Sequence, residues 1–220
     1  RDALETVLSR TGGTLYALFN NGAYGQPGAL EDLSREVLRA QFESNLFGWH
    51  GLTRAVLPGM RRQGHGRLSH TSSVLGLVSL PYRGAYNASK YALEGLADTL
   101  RLELRNTDIH VSLIEPGPIT SRFRANAHQA FRDHIDAQNS VHREIYQRME
   151  KRLVSEGPVA PFTLPPEAVL EKVVHALESR RPHLRYSVTF PTWLFATLKR
   201  LLPGRVLDKV LMRVGGRENR

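Results

Sequence analysis

Residues 64–118 read GHGRLSHTSSVLGLVSLPYRGAYNASKYALEGLADTLRLELRNTDIHVSLIEPGP. Arg67 to Ser73 has the character of a strand that ends in hydroxyls. Tyr86 to Asn106 predicts a long helix with apolar residues at Tyr91, Leu93, Leu96, Leu100, Leu102 and Leu104. His110 to Ile114 predicts the next strand, stopped by Pro116-Gly117-Pro118. Two strands with a helix between them form a crossover unit, and such units build parallel sheets.

The same alternation extends in both directions. Upstream, residues 1–10 predict the tail of a helix ending near Gly12-Gly13. Leu15 to Phe19 is a short apolar run closed by Asn20-Asn21-Gly22, which suits a buried strand and a turn with positive φ. Ser34 to Pro58 carries apolar residues at helical spacing and predicts one or two helices ending near Pro58-Gly59. Downstream, residues 122–165 predict an irregular, largely helical insertion ending in Pro158, Pro161, Pro165 and Pro166. Glu167 to Ser179 predicts a helix, and Tyr186 to Phe190 a last strand. The expected fold is α/β, a doubly wound parallel sheet with helices on both faces, in one domain spanning 1–220.

Composition narrows the function classes. The chain has 220 residues, 41% apolar and 23% charged, as in an ordinary globular domain. It has no cysteine, which excludes disulfides, thiolate metal sites and cysteine nucleophiles and fits a reducing, cytoplasmic setting. The net charge of +9 favours anionic partners. The bases are spread out, with an excess at Arg180, Arg181, Arg185, Lys199, Arg200, Arg205, Lys209 and Arg213, and no nucleic-acid motif accompanies them. No window reaches the roughly 18 apolar residues of a spanning helix.

Four features fall at predicted strand ends or on the helices that follow, the edge where open α/β sheets bind ligands. Tyr86 and Lys90 are four apart, hence on one helix face. A nearby ammonium favours the phenolate of a tyrosine, whose free pKa is about 10, so the pair can exchange a proton with a substrate oxygen. Ordinary helix surfaces also carry this spacing. Ser73, ending a strand, can hydrogen-bond a substrate oxygen or merely cap the strand. Asn45, among apolar helical neighbours, is a ligand-linked amide or a satisfied core amide. Pro116 to Ser121 is a rigid cradle or only a turn.

Taken together, Asn45, Ser73, Tyr86 thirteen residues later, Lys90 and the Pro-Gly turn resemble the short-chain dehydrogenase/reductase family. Asn20-Asn21-Gly22-Ala23 at the first strand end adds to the match. Ser112 to Ile119 is similar to the steroid- and retinol-dehydrogenase-like branch, and Pro191 to Arg213 to the tails of bacterial aldehyde reductases. The resemblance implies a Rossmann-like fold and an oxidoreductase that interconverts an aldehyde or ketone and an alcohol. It implies NADP, in preference to NAD, as cofactor, a lipophilic small-molecule substrate, a homodimer or homotetramer, and no metal.

Residue by residue, it implies Tyr86 as acid/base, Lys90 as the group that lowers the Tyr86 pKa and holds the nicotinamide ribose, Ser73 on the substrate oxygen, and Asn45 holding a water that links Lys90 to solvent. Asn21 lines the adenine-side ribose. Pro116 and Gly117 shape the cradle in which Ile119 and Ser121 touch the carboxamide.

Two departures stand out. Asn20-Asn21-Gly22-Ala23 transposes the last two residues of the family's Asn-Asn-Ala-Gly. The glycine-rich phosphate turn, Thr-Gly-x-x-x-Gly-x-Gly in form, does not occur, so the chain is expected to be a fragment or the ordered remainder of a longer reductase, lacking its N-terminal strand–helix units of roughly 60–70 residues. Phe123, Phe131, Ile135, Tyr146, Met149 and Phe162 are expected to form an apolar substrate mouth, and His128, His134 and His142 to be surface residues without zinc-pair spacing. Residues 192–213 predict a basic amphipathic helix, packed on its own domain or lying on an anionic membrane. Rival readings are a non-catalytic fragment or scaffold on this fold, and a membrane-surface protein acting through that helix.

Overall fold

The computed structural model describes residues 2–155, 157 and 160–218; Pro158, expected to close the insertion, lies outside them. The element order is α1 (Asp2–Arg10), β1 (Ala17–Asn20), α2 (Arg35–Phe42), a π-helical turn (Glu43–Phe47), α3 (Gly48–Gln63), β2 (His65–Thr71), α4 (Gly84–Glu103), β3 (Asp108–Glu115), α5 (Phe123–His134), α6 (Arg143–Val154), α7 (Glu167–Glu178), β4 (Arg185–Ser187), α8 (Phe190–Leu201) and α9 (Gly204–Glu218). The described strands form one parallel sheet in the order β1-β2-β3-β4. Asn20 lies beside His70, Thr71 beside Ile114, and Glu115 beside Ser187. This register brings the C-terminal ends of β1, β2 and β3 to one edge.

Alternation along β3 divides the core. Ile109, Val111 and Leu113 face α3 and α4, in a cluster with Trp49, Val56, Met60, Leu68, Leu93 and Ala97. Ile114 faces the other way, against Val173 and Ala176 of α7 and Tyr186 of β4. Helices therefore cover both faces, and the doubly wound α/β expectation holds.

Several boundaries differ from expectation. Pro58 does not end its helix. It is exposed on α3, as is Arg54, the residue whose carbonyl it leaves without a helical donor. The stop is Gly64, whose φ of 82° closes α3 in the left-handed region. The segment after β1 contains no positive φ: residues 21–27 have no regular secondary structure, and Gly22 serves no left-handed turn. The last strand covers only Arg185–Ser187, and Phe190 begins α8 instead, with Pro191 in its first turn, where a missing N–H costs nothing. The predicted C-terminal helix is two helices. Leu202 is extended ahead of Pro203, which disfavours the helical conformation in the residue before it. Both helices pack on their own domain: Lys199 Nζ lies 4.4 Å from the Tyr91 ring centroid, and α9 approaches Pro81 at Gly215. No described helix is long and apolar enough to cross a membrane.

Candidate active site

The strand ends open into a cleft of about 880 Å³. Asn21, Ser73, Tyr86, Lys90, Pro116, Gly117, Ile119 and Ser121 all line it, although they come from three strand ends and one helix. Gly117 is required by close approach: a Cβ there would lie 2.2 Å from Thr189 Oγ1. Ser121 Oγ accepts from the Phe123 amide at 3.3 Å, just ahead of α5.

Tyr86 sits in the first turn of α4, one turn before Lys90, and its ring meets Phe123 edge-on at 5.3 Å. Ser73 caps a short 3₁₀ turn, Val74–Gly76, accepting from the Leu75 amide at 3.1 Å. Burial pushes the Tyr86 hydroxyl up to about 12, while a hydrogen bond with Ser73 and the charge of Arg83 pull the other way. Lys90, expected to lower this pKa, lies one helical turn on, with Nζ 5.6 Å from the Tyr86 ring centre. Lys90 is itself 1% exposed. Burial brings its ammonium down to about 7, and Nζ donates to the Thr71 carbonyl at 2.7 Å. One such bond leaves two ammonium N–H groups for a ligand in the cleft.

Asn45 stands behind the cleft, fully buried in the π-helical turn. Its Nδ2 donates to the Tyr24 carbonyl at 3.0 Å and to Ser89 Oγ at 3.2 Å, and its Oδ1 accepts from the Tyr24 amide at 3.3 Å. It thus ties the loop after β1 to the start of α4. π-Helical turns recur at functional sites, and the apolar periodicity of 34–58 had hidden this one.

The insertion forms the far wall, with a different division of labour from that expected. Phe123 and Met149 reach the cleft. Phe131, Ile135 and Tyr146 pack instead into a second core cluster with Ala29, because α5 and α6 turn that face toward the segment after β1. Tyr146 OH donates to Asp32 and accepts from the Ala29 amide at 2.9 Å, which fastens α6 to that segment. Phe162 is exposed, with its ring 5.2 Å from that of Phe190. The insertion's histidines bind protein side chains: His128 to Glu150, His134 to Gln26 and His142 to Glu31.

Sequence reasoning missed two residues under Lys90. His70 is buried on β2, its Nδ1 3.0 Å from Asn20 Nδ2. The amide must donate, so the imidazole is neutral with its proton on Nε2, which has no partner among the described residues. Burial and the nearby Lys90 charge hold its pKa down at about 4. An unfolded histidine titrates near 6.5, so the unfolded chain takes up this proton first as pH falls. Stability should drop by about 3 kcal/mol between pH 6.5 and 4 from this residue. Urea unfolding of wild type and His70→Gln across that window should show the difference, and parallel curves would contradict it. The other missed residue is Trp49, whose Nε1 donates to the Gly22 carbonyl at 2.9 Å.

Comparison with known proteins agrees with this geometry. The family model for short chain dehydrogenase matches residues 1–131. The chain is 48% identical over 209 residues to the uncharacterized oxidoreductase YbbO of Escherichia coli (strain K12), covering 95% of this chain and 71% of YbbO. It is 33% identical over 203 residues to retinol dehydrogenase 8 of Homo sapiens, covering 90% of this chain and 64% of that protein. A solved short chain dehydrogenase/reductase from Burkholderia phymatum, in complex with NAD, superposes with a TM-score of 0.71 at 27% identity, covering 96% of this chain and 72% of that one. With its parallel sheet, its cleft at the strand ends and these relatives, the chain belongs to the short-chain dehydrogenase/reductase family of oxidoreductases.

Proposed function

We propose that this protein interconverts a carbonyl and an alcohol on a lipophilic small molecule, with NADP or NAD as the redox partner. The observation that carries the reading is the convergence of Ser73, Tyr86 and Lys90 on one cleft with apolar walls. The residues fit the nicotinamide end of such a cofactor. Lys90 offers two unused N–H groups to ribose hydroxyls, and the backbone from Pro116 to Ser121 borders the same space. Bound there, the nicotinamide supplies or accepts the hydride.

The chain's own part is position and proton transfer. Ser73 orients the substrate oxygen, and Tyr86 hands it a proton in the reductive direction. A phenol held at about 12 stays protonated through the neutral range, so Tyr86 is set as an acid. Asn45, through Tyr24 and Ser89, keeps the helix start that carries Tyr86 in place, and we assign it the water linking Lys90 to solvent. The test is a turnover screen with NADPH and NADH against aliphatic aldehydes, retinoids and steroids. Oxidation of the reduced cofactor with a lipophilic carbonyl supports the reading, and no turnover with any class overturns it.

The cavities favour a long substrate. A second space of about 780 Å³ lies between the loop after β2 and α9, walled by Leu77, Val78, Leu207 and Leu211, and Leu80 borders both spaces. Leu80→Ala should join them and shift kcat/KM toward longer-chain aldehydes by roughly tenfold over short ones. An unchanged chain-length profile would separate the second cavity from substrate binding.

A further inference from the structure

Lys90 is buried, yet no carboxylate pairs with it among the described residues. A buried ammonium needs compensation from some other group. Its Nζ lies 4.5 Å from the centre of the Trp49 ring, closer than the 5.6 Å to the Tyr86 ring. Trp49 is 5% exposed and held on two further sides: Nε1 on the Gly22 carbonyl at 2.9 Å, and its ring stacked on His70 at 6.3 Å with 16° between planes. The indole cannot turn away without breaking contacts to the ends of both β1 and β2.

We propose that Trp49 is a positioning residue for Lys90, its negative π face holding the ammonium at the cleft and favouring the charged form. A desolvated cation is attracted to the ring quadrupole, and among the aromatic side chains indole attracts it most. The other groups facing Lys90 do not supply this. His70 on β2 is neutral, Tyr86 on the same helix is protonated at neutral pH, and Thr71 offers one carbonyl. The consequence for catalysis rests on the function proposed above. The contact itself does not, so its test needs no turnover.

The chain has two tryptophans, and Trp193 is exposed on α8. In a Trp193→Phe background, Trp49 can be replaced biosynthetically by mono-, di- and trifluorotryptophan, which weaken the ring quadrupole with little change of shape. The Lys90 titration is followed by NMR of lysine labelled with carbon-13 at Cε, assigned by its loss in Lys90→Met. We expect the midpoint to fall stepwise with fluorine count, by about one pH unit in total. Trp49→Leu should lower it by at least as much, and Trp49→Phe by less. A midpoint that ignores fluorination overturns the proposal, even where Trp49→Leu fails to fold. A stepwise fall in a protein without turnover would uphold the contact and count only against the catalytic reading.

Discussion

Replacing Tyr86 with phenylalanine is expected to lower turnover by about 10²–10⁴-fold while leaving the melting curve close to wild type. The substitution removes one hydroxyl and keeps the ring that packs edge-on against Phe123. The loss is chemical, because among the described residues Tyr86 is the acid hydrogen-bonded to Ser73, while Lys90 donates to the Thr71 carbonyl and lies over the Trp49 ring. Binding of the reduced cofactor, read by its fluorescence, should weaken far less than kcat. Activity within a few fold of wild type would remove Tyr86 from proton transfer. Activity lost together with the fold would leave Ser73→Ala as the cleaner variant, with the same expected direction.

Replacing Arg185 with alanine is expected to cost about 3 kcal/mol of unfolding free energy. Arg185 begins β4, and its guanidinium reaches three carboxylates. Nη1 bonds Glu94 and, at 2.9 Å, Glu115; Nη2 bonds Asp98 at 2.6 Å. The Glu94 and Glu115 side chains are 9% and 2% exposed, and burial already raises Glu115 to about 7, so removing the arginine strands Glu94 without its partner and drives Glu115 to its neutral form. Arg185→Lys keeps one charge but loses the planar fork and should recover only part of the loss. Glu115→Gln in the Arg185→Ala background should change stability little near neutral pH, because a Glu115 raised to about 7 by burial takes up a proton once the arginine is gone. Urea unfolding measures all of these, and a loss below about 1 kcal/mol for Arg185→Ala would mean that the cluster is solvated rather than buried. Glu115 directly precedes Pro116-Gly117, so a loosened cluster should also distort the cleft wall and raise KM.

The parts of the fold that could be read from sequence are those set by neighbours along the chain. Tyr86 and Lys90 share a face because they lie one helical turn apart, and α4 needs nothing distant to place them. The strands of the crossover units were found through their apolar runs, although β2 buries Arg67, Ser69 and His70 as well. Pro58 misled because the rule that proline stops helices assumes that the freed carbonyl has no other partner, and exposure on α3 supplies water. The π-helical turn at 43–47 left a single trace, an asparagine among apolar residues.

The rest depends on contacts that sequence spacing does not carry. Phe131 and Tyr146 are as apolar in sequence as Phe123, but which face meets the cleft is decided by Asp32 and Ala29, 114 and 117 positions before Tyr146 in the chain. Trp49 and His70 read as core aromatics, and only the packing of α3 on β1 and β2 brings them together under Lys90.

The most direct test of the central claim uses cofactor deuterated at the transferable position of the nicotinamide ring. Wild-type protein, NADPH or NADH so labelled, and a long-chain aldehyde are incubated, and the alcohol is analysed by mass spectrometry. The account predicts one deuterium on the carbinol carbon for each cofactor oxidised, with label incorporation reduced by about 10²-fold or more in Tyr86→Phe. Alcohol formed without deuterium, or equal incorporation by the two proteins, would contradict it.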